Sequence, residues 1–197
     1  MAKYLAFYKP YEVLCQFTDP KNRPTLAGYI PVPGVYAAGR LDYRSEGLLL
    51  LTDDGLLIHR LTTPDYRHLK TYLVQVEGLA DPAAIERLNQ QIVVPGIQTS
   101  LPRVRSILPS NLPPDLPHRA VRAYHPTSWL EVCLEEGKKH QVRRMMAAVG
   151  LPALRLVRVA IGPLVLGGLQ PGEWRWLSQP EVQALHASLG KSSRSRT

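Results

Sequence analysis

Apolar and polar residues alternate along K-T-Y-L-V-Q-V-E at 70–77, with Tyr72, Val74 and Val76 on one side and Leu73, Gln75 and Glu77 on the other. Period two with Val and Tyr predicts a strand. The alternation returns in S-W-L-E-V-C-L at 128–134, where Leu130, Val132 and Leu134 share a face. Leu48 to Thr52 is instead a continuous apolar run closed by Asp53-Asp54-Gly55, the pattern of a strand covered on both sides. Residues 1–9 predict a first strand that Pro10 ends, and 154–161 and 173–177 predict two more.

A longer period marks the helices. Val142, Met145, Met146 and Val149 repeat as i, i+3, i+4, i+7, which predicts an amphipathic helix over 139–149 with Gly150 at its C-terminal cap. Asp81-Pro82 supplies a capping acid and a first-turn proline for a helix to about Gln91. A short helix spans 56–61 before Pro64. Ser178 with Glu181 fits a capping box, and Val182, Leu185 and Leu189 give the last helix one apolar stripe. Prolines at 20, 24, 31 and 33 break 11–38 into loops, and four more within 109–117 mark a connection. Strands and helices mix without a regular βαβ alternation. The expected class is α+β with a mainly antiparallel sheet.

Composition adds a partner class. A chain of 197 residues with 45% apolar content forms one domain of ordinary size. The net charge of +8 and pI of about 9.7 favour a polyanionic partner. Three cations lie in the last seven residues, so 191–197 is expected to be a basic flexible tail, yet the body stays basic without it. No window approaches the ~18 apolar residues of a membrane helix. Cys15 and Cys133 lie in no zinc-ligand spacing, which points to reduced thiols in a cytosolic protein and to no metal site.

Two stretches carry candidate chemistry. G-R-L-D-Y-R-S-E-G, from Gly39 to Gly47, sets Asp42 between Arg40 and Arg44 just before the apolar run. On the 139–149 helix, His140, Arg143 and Arg144 share a face by spacing, with Lys138 and Lys139 at its start. Cations at a helix N-terminus oppose its dipole at a cost of tenths of a kcal/mol to about one each. Such a face is either simply solvated or aimed at phosphate. About a hundred residues separate Asp42 from Arg143, so spacing alone does not pair them.

Several ordered segments resemble the bacterial pseudouridine synthases. G-R-L-D with S-E-G-L-L-L-L-T-D-D-G resembles the catalytic motif, K-T-Y-L-V at 70–74 the second, and E-G-K-K-H-Q-V-R-R-M at 136–145 the third. L-R-L-V-R-V-A-I-G-P-L-V-L at 154–166 is similar to the end of the domain in the small-subunit (RsuA) branch. The resemblance implies an isomerase that breaks the N-glycosidic bond of a uridine in RNA, turns the base and rejoins it through carbon. It implies no metal or organic cofactor, and it points to ribosomal RNA of the large subunit.

Carried over residue by residue, the resemblance makes Asp42 the catalytic carboxylate, Tyr72 the tyrosine that contacts the target base, and Arg143 the basic residue that pairs with the aspartate. Leu156 falls where the family lines the base pocket. Arg40, Lys70, Lys138, Lys139, His140 and Arg144 are expected to bind RNA. Many relatives carry an acid two places after the catalytic aspartate, where this chain has Arg44. Many begin with a small S4 domain, whereas here the catalytic pattern starts at Tyr4, so a catalytic domain over 1–190, in two lobes and monomeric, is expected without one. Two other readings use the same residues. A non-catalytic RNA-binding protein would have no use for the Asp42 charge. A glycoside hydrolase would pair Asp42 with a second carboxylate, and Glu46 is the nearby candidate.

Overall fold

The computed structural model of the protein describes residues 2–63, 66–90, 101–121 and 123–189. Its strands are β1 (Tyr4–Lys9), β2 (Tyr36–Ala37), β3 (Glu46–Thr52), β4 (Lys70–Glu77), β5 (Arg103–Ile107), β6 (Thr127–Leu134), β7 (Ala153–Ile161), β8 (Leu164–Val165) and β9 (Trp174–Trp176). Its helices are α1 (Gly55–Thr62), α2 (Pro82–Asn89), α3 (Gln141–Ala148) and α4 (Gln179–Ser188). The strands join in the order β5-β6-β4-β7-β3-β1-β9, with β2 added to β3 and β8 to β7. Every pairing is antiparallel except β3 with β7. The α+β expectation holds.

The local signals explain the boundaries. The Asp54 side chain accepts from the Leu57 N–H at the start of α1, and Asp81 accepts from Ala84 at the start of α2. Ser178 and Glu181 close a complete capping box on α4. Gly150, at φ +80°, ends α3: its N–H reaches the Ala147 carbonyl while that of Leu151 reaches Met146. The start of α3 departs from the periodicity. Its first residue is Gln141, not Lys139, because His140 adopts the left-handed conformation and leaves both lysines in the preceding loop. Strands β2, β5 and β8 were not signalled: two are only two residues long, and β5 buries Val104 alone. The predicted tail at 191–197 and the end of the α2 prediction at Gln91 lie outside the described residues.

Three apolar clusters fill the interior. Val74, Leu88, Leu130, Val132, Met145 and Met146 join α2 and α3 to the β5-β6-β4 half of the sheet. Ala6, Tyr8, Leu48, Leu50, Leu57 and Leu185 join α1 and α4 to one face of β1 and β3. Leu5, Phe7, Leu49 and Leu51 meet Leu26, Ile30 and Val35 on the other face. With both faces covered, β3 has no polar side to display, which explains its continuous apolar run.

The two halves meet where β3 lies beside β7, a ladder of only two register pairs, Glu46 with Val157 and Gly47 with Arg158. Gly47 sits at φ +101° against the Arg158 backbone, and a Cβ there would overlap the Arg158 carbonyl. Polar side chains reinforce this short seam. Arg155 donates to both Glu46 oxygens at 3.1 and 3.0 Å, and Arg119 adds a bond of 2.7 Å. Arg158 Nε donates to the Leu48 carbonyl at 2.8 Å. At the end of β1, the fully buried Lys9 donates to the carbonyls of Pro10 and Val13 at 2.7 and 2.8 Å and reaches that of Tyr43 at 3.4 Å.

Glu46→Gln removes the counter-charge of the buried Arg155 guanidinium. It should lower the unfolding free energy by about 3–5 kcal/mol in a urea titration. A loss under about 1 kcal/mol would show that the seam does not depend on the pair. Lys9 gives a pH signature. Burial, ahead of any charge effect, lowers its pKa from 10.5 to about 8. Between those values the unfolded chain holds a proton that the folded one has shed, so this lysine makes stability rise with pH across that window. The stability gap between wild type and Lys9→Met should therefore widen from about pH 8 to 10.5. A constant or narrowing gap would contradict the assignment.

Candidate active site

The turn before β3 is gripped at four consecutive residues. Cys15 Sγ lies 3.2 Å from the Leu41 N–H, which it accepts, and 3.3 Å from the Leu41 carbonyl, to which it donates. The Asp42 carbonyl accepts from the Ser45 N–H at 3.0 Å. The Tyr43 carbonyl takes the Glu12 N–H at 2.9 Å in addition to Lys9. The Arg44 carbonyl accepts from Arg143 Nη2 at 2.6 Å. A turn pinned this way presents one side chain in a fixed direction, and that side chain is Asp42.

The Asp42 carboxylate is 31% exposed and faces a cleft of about 550 Å³. That volume is in the range of small-molecule sites. The lining divides by polarity. Leu14, Leu41, Tyr72, Leu134, Val142 and Leu156 supply apolar surface, while Arg40, Lys138, Lys139 and His140 supply cations or a titratable ring. Tyr72 and Leu156 are both buried, on neighbouring strands and on the same face of the sheet, since Tyr72 pairs with Arg158 and Val74 with Leu156. Such side chains offer apolar surface for a flat ring, and the cations suit an anionic chain.

Most of the expected site residues converge here. Asp42, Tyr72, Leu156, Arg40, Lys138, Lys139 and His140 all line the cleft. Arg144 lines neither this cleft nor its neighbour, and Lys70 lies in the neighbour, a cavity of about 480 Å³. The direct Arg143–Asp42 pair that the resemblance implies is absent. Arg143 sits behind the turn and bonds the carbonyls of Arg44 and Ala153 at 2.6 and 2.8 Å. Burial pushes its pKa down, and the Asp42 charge is the largest influence raising it again. It therefore acts on Asp42 through space and through the backbone. Among the described residues, the ion-pair partner within 4 Å of Asp42 is His140, with Nε2 at 3.5 Å from Oδ1. The left-handed backbone of His140, at φ +54°, sets that ring over the cleft instead of along the helix face.

Arg44, the departure from the family pattern, leaves its side chain exposed and uses its carbonyl. Glu46 is not a second acid for the cleft, because its buried carboxylate is taken by Arg155 and Arg119. Three contributors carried no sequence signal. Lys9 looks like the polar end of a strand. Cys15 looks like a lone thiol, yet burial raises its pKa and keeps it an inert backbone clamp. Gln141 accepts from the Lys138 N–H at 3.0 Å and donates to Glu136 at 2.6 Å, folding the basic loop into the cleft wall. Among the described residues no cluster of three or more His, Cys, Asp or Glu side chains gathers that would hold a metal, and no helix is long and apolar enough to cross a membrane.

Comparison with known proteins places this geometry. Residues 3–148 match the family model described as RNA pseudouridylate synthase. Over 171 residues the chain is 53% identical to ribosomal large subunit pseudouridine synthase E of Xanthomonas campestris pv. campestris, covering 85% of this chain and 91% of that protein. It is 47% identical over 178 residues to the protein of the same name from Vibrio vulnificus, covering 90% and 76%. A crystal structure of a pseudouridylate synthase superposes with a TM-score of 0.78 at 31% identity, over 94% of this chain and 74% of the other. A match over most of the chain, at these identities and with the same fold, means that this protein belongs to the RNA pseudouridylate synthase family.

Proposed function

We propose that the protein converts a uridine of large-subunit ribosomal RNA into pseudouridine, with Asp42 as the catalytic carboxylate. The observation that carries the proposal is the position of Asp42 on a pinned turn, in a cleft that Tyr72, Leu156, Arg40, Lys138 and Lys139 also line. The similarity to proteins named for large-subunit pseudouridine synthesis supports the substrate class. A cytoplasmic, monomeric enzyme with its catalytic domain over 1–190 and a basic tail beyond it fits this reading. The free thiols of Cys15 and Cys133 agree with the compartment.

The target uridine leaves its stack at a cost of a few kcal/mol. Contacts of the RNA backbone with Arg40, Lys138 and Lys139 offset that cost, and the base enters between Tyr72 and Leu156. The reaction breaks the bond from C1′ to N1 and forms one from C1′ to C5. The base loses the C5 proton and gains one at N1. Nothing is oxidised or reduced, so the isomerisation balances without a redox partner. Asp42 serves in its charged form, either by attacking the sugar or by taking its 2′ proton, since only the carboxylate is nucleophilic or basic. Arg143 supplies positive surroundings for that charge, and the His140 ring lies 3.5 Å from it.

Pseudouridine mapping of large-subunit RNA tests the proposal in cells lacking the protein and then complemented. One site should vanish and return with wild type, and Asp42→Asn should restore none of it while folding normally. Persistence of every large-subunit pseudouridine without the protein would remove the substrate assignment. Restoration by Asp42→Asn would remove the role of the carboxylate. RNA binding with no modified site in any RNA would favour the non-catalytic reading.

A further inference from the structure

The cleft does not end at Tyr72. A second cavity of about 480 Å³ opens on the other side of that residue and shares Arg40, Tyr72 and the 136–138 loop with the first. Its composition follows from the sheet. Lys70, Tyr72 and Val74 point to one face of β4, and Arg158 and Leu156 point to the same face of β7. Tyr72 and Leu156 serve the first cavity. Lys70 lies two residues along from Tyr72, roughly 7 Å on, and Arg158 two residues along from Leu156. There the apolar face becomes cationic, and both residues line the second cavity.

Among the described residues neither cation has a carboxylate within 4 Å. Arg158 is 3% exposed; its Nε donates to the Leu48 carbonyl, and its Nη2 is buried with no hydrogen-bond partner among the described residues. Among the described residues Lys70 Nζ reaches only the carbonyls of His68 and Glu135, at 3.4 and 3.5 Å. Glu135 is turned to Arg67 at 3.6 Å. Burial, followed by repulsion from Arg158, lowers the Lys70 pKa to about 8, and Glu136 offsets only part of this. A buried guanidinium beside a half-buried ammonium, with the cavity's acids Glu135 and Glu136 more than 4 Å from both, suits an anion. A guanidinium fork beside an ammonium suits the non-bridging oxygens of a phosphate.

We propose that Arg158 and Lys70 form a binding site for one RNA phosphate, that of a nucleotide adjoining the target uridine, so that the strand passes over Tyr72 from one cavity into the other. This rests on the function proposed above and adds what it does not state, which part of the substrate the second cavity takes. The spacing supports an RNA phosphate over a free ion, because the anion site lies on the scale of one nucleotide step from the base site. The strand would thereby be held on both sides of the reacting sugar.

The test uses the full chain and an RNA fragment containing the mapped target uridine. Phosphodiesters are replaced one at a time by uncharged methylphosphonates, and Kd and kcat/KM are measured for each. One linkage next to the target should cost wild type roughly tenfold or more when neutralised. Lys70→Met should show that loss on unmodified RNA and little further loss on the neutralised RNA. Lys70→Arg, which keeps the charge, should retain the sensitivity, and Arg158→Lys should fall between. Equal sensitivity of wild type and Lys70→Met at every linkage overturns the site. So does stabilisation of wild type alone by inorganic phosphate with no linkage affected, which would mark a free-anion site. Both outcomes require wild type to form pseudouridine in the fragment. Its failure to do so would contradict the proposed function and is thereby told apart.

Discussion

The Glu46 carboxylate, buried between Arg155 and Arg119, is the contact on which the site depends. It lies where β3 meets β7 over two register pairs, the narrowest junction in the path of the sheet. Asp42 belongs to the turn before β3, whereas Tyr72 and Leu156 belong to β4 and β7. If the junction slides, the carboxylate and the apolar pair separate. Two backbone pairs alone would be a weak tie. The ion pair, the Gly47 contact with the Arg158 backbone and the bond from Arg158 to Leu48 make it specific. A buried ion pair gains little net stability, because desolvation offsets its attraction. Its effect here is to fix register, since one carboxylate meets both guanidinium groups in only one alignment.

The same economy of buried charge recurs around the turn. Lys9, Arg143 and Cys15 all spend their polar atoms on backbone carbonyls or an amide. None donates to the Asp42 carboxylate. The backbone is thus held while the carboxylate remains open to the cleft, with His140 its one ion-pair partner within 4 Å among the described residues. A direct bidentate arginine would order Asp42 more tightly but would occupy the oxygens that a substrate needs. Placing the guanidinium one layer back keeps its field and frees those oxygens. Arg158 and Lys70 differ in part: Arg158 spends Nε on the Leu48 carbonyl but leaves Nη2 without a partner among the described residues, and Lys70 makes only long contacts there.

Elements with a strong period or a capping signal were legible in the sequence. The alternation at 70–77 and 128–134, the covered run in β3 and the caps of α2 and α4 emerge with boundaries shifted by only a few residues. The motifs likewise named residues that meet in one cleft, Asp42 with Tyr72, Leu156 and His140. What stayed hidden depends on distant backbone. No local pattern marks Cys15 as a clamp, because its partner Leu41 lies 26 residues away, and the Lys9 bonds to Pro10 and Val13 depend on a loop that folds back over the strand end. The helical spacing that grouped His140 with Arg143 and Arg144 fails at one residue, since a left-handed backbone is not written in hydrophobic periodicity. Arg158 was hidden by its setting: in an apolar strand it reads as one more outward-facing charge.

The most direct measurement is the structure of Asp42→Asn bound to an RNA fragment that carries the target uridine. It should show a uridine turned out of its stack, its base against Tyr72 and Leu156, its sugar beside residue 42, and a neighbouring phosphate against Arg158 and Lys70. A base bound elsewhere, or a strand that leaves the cleft without crossing Tyr72, would contradict this placement.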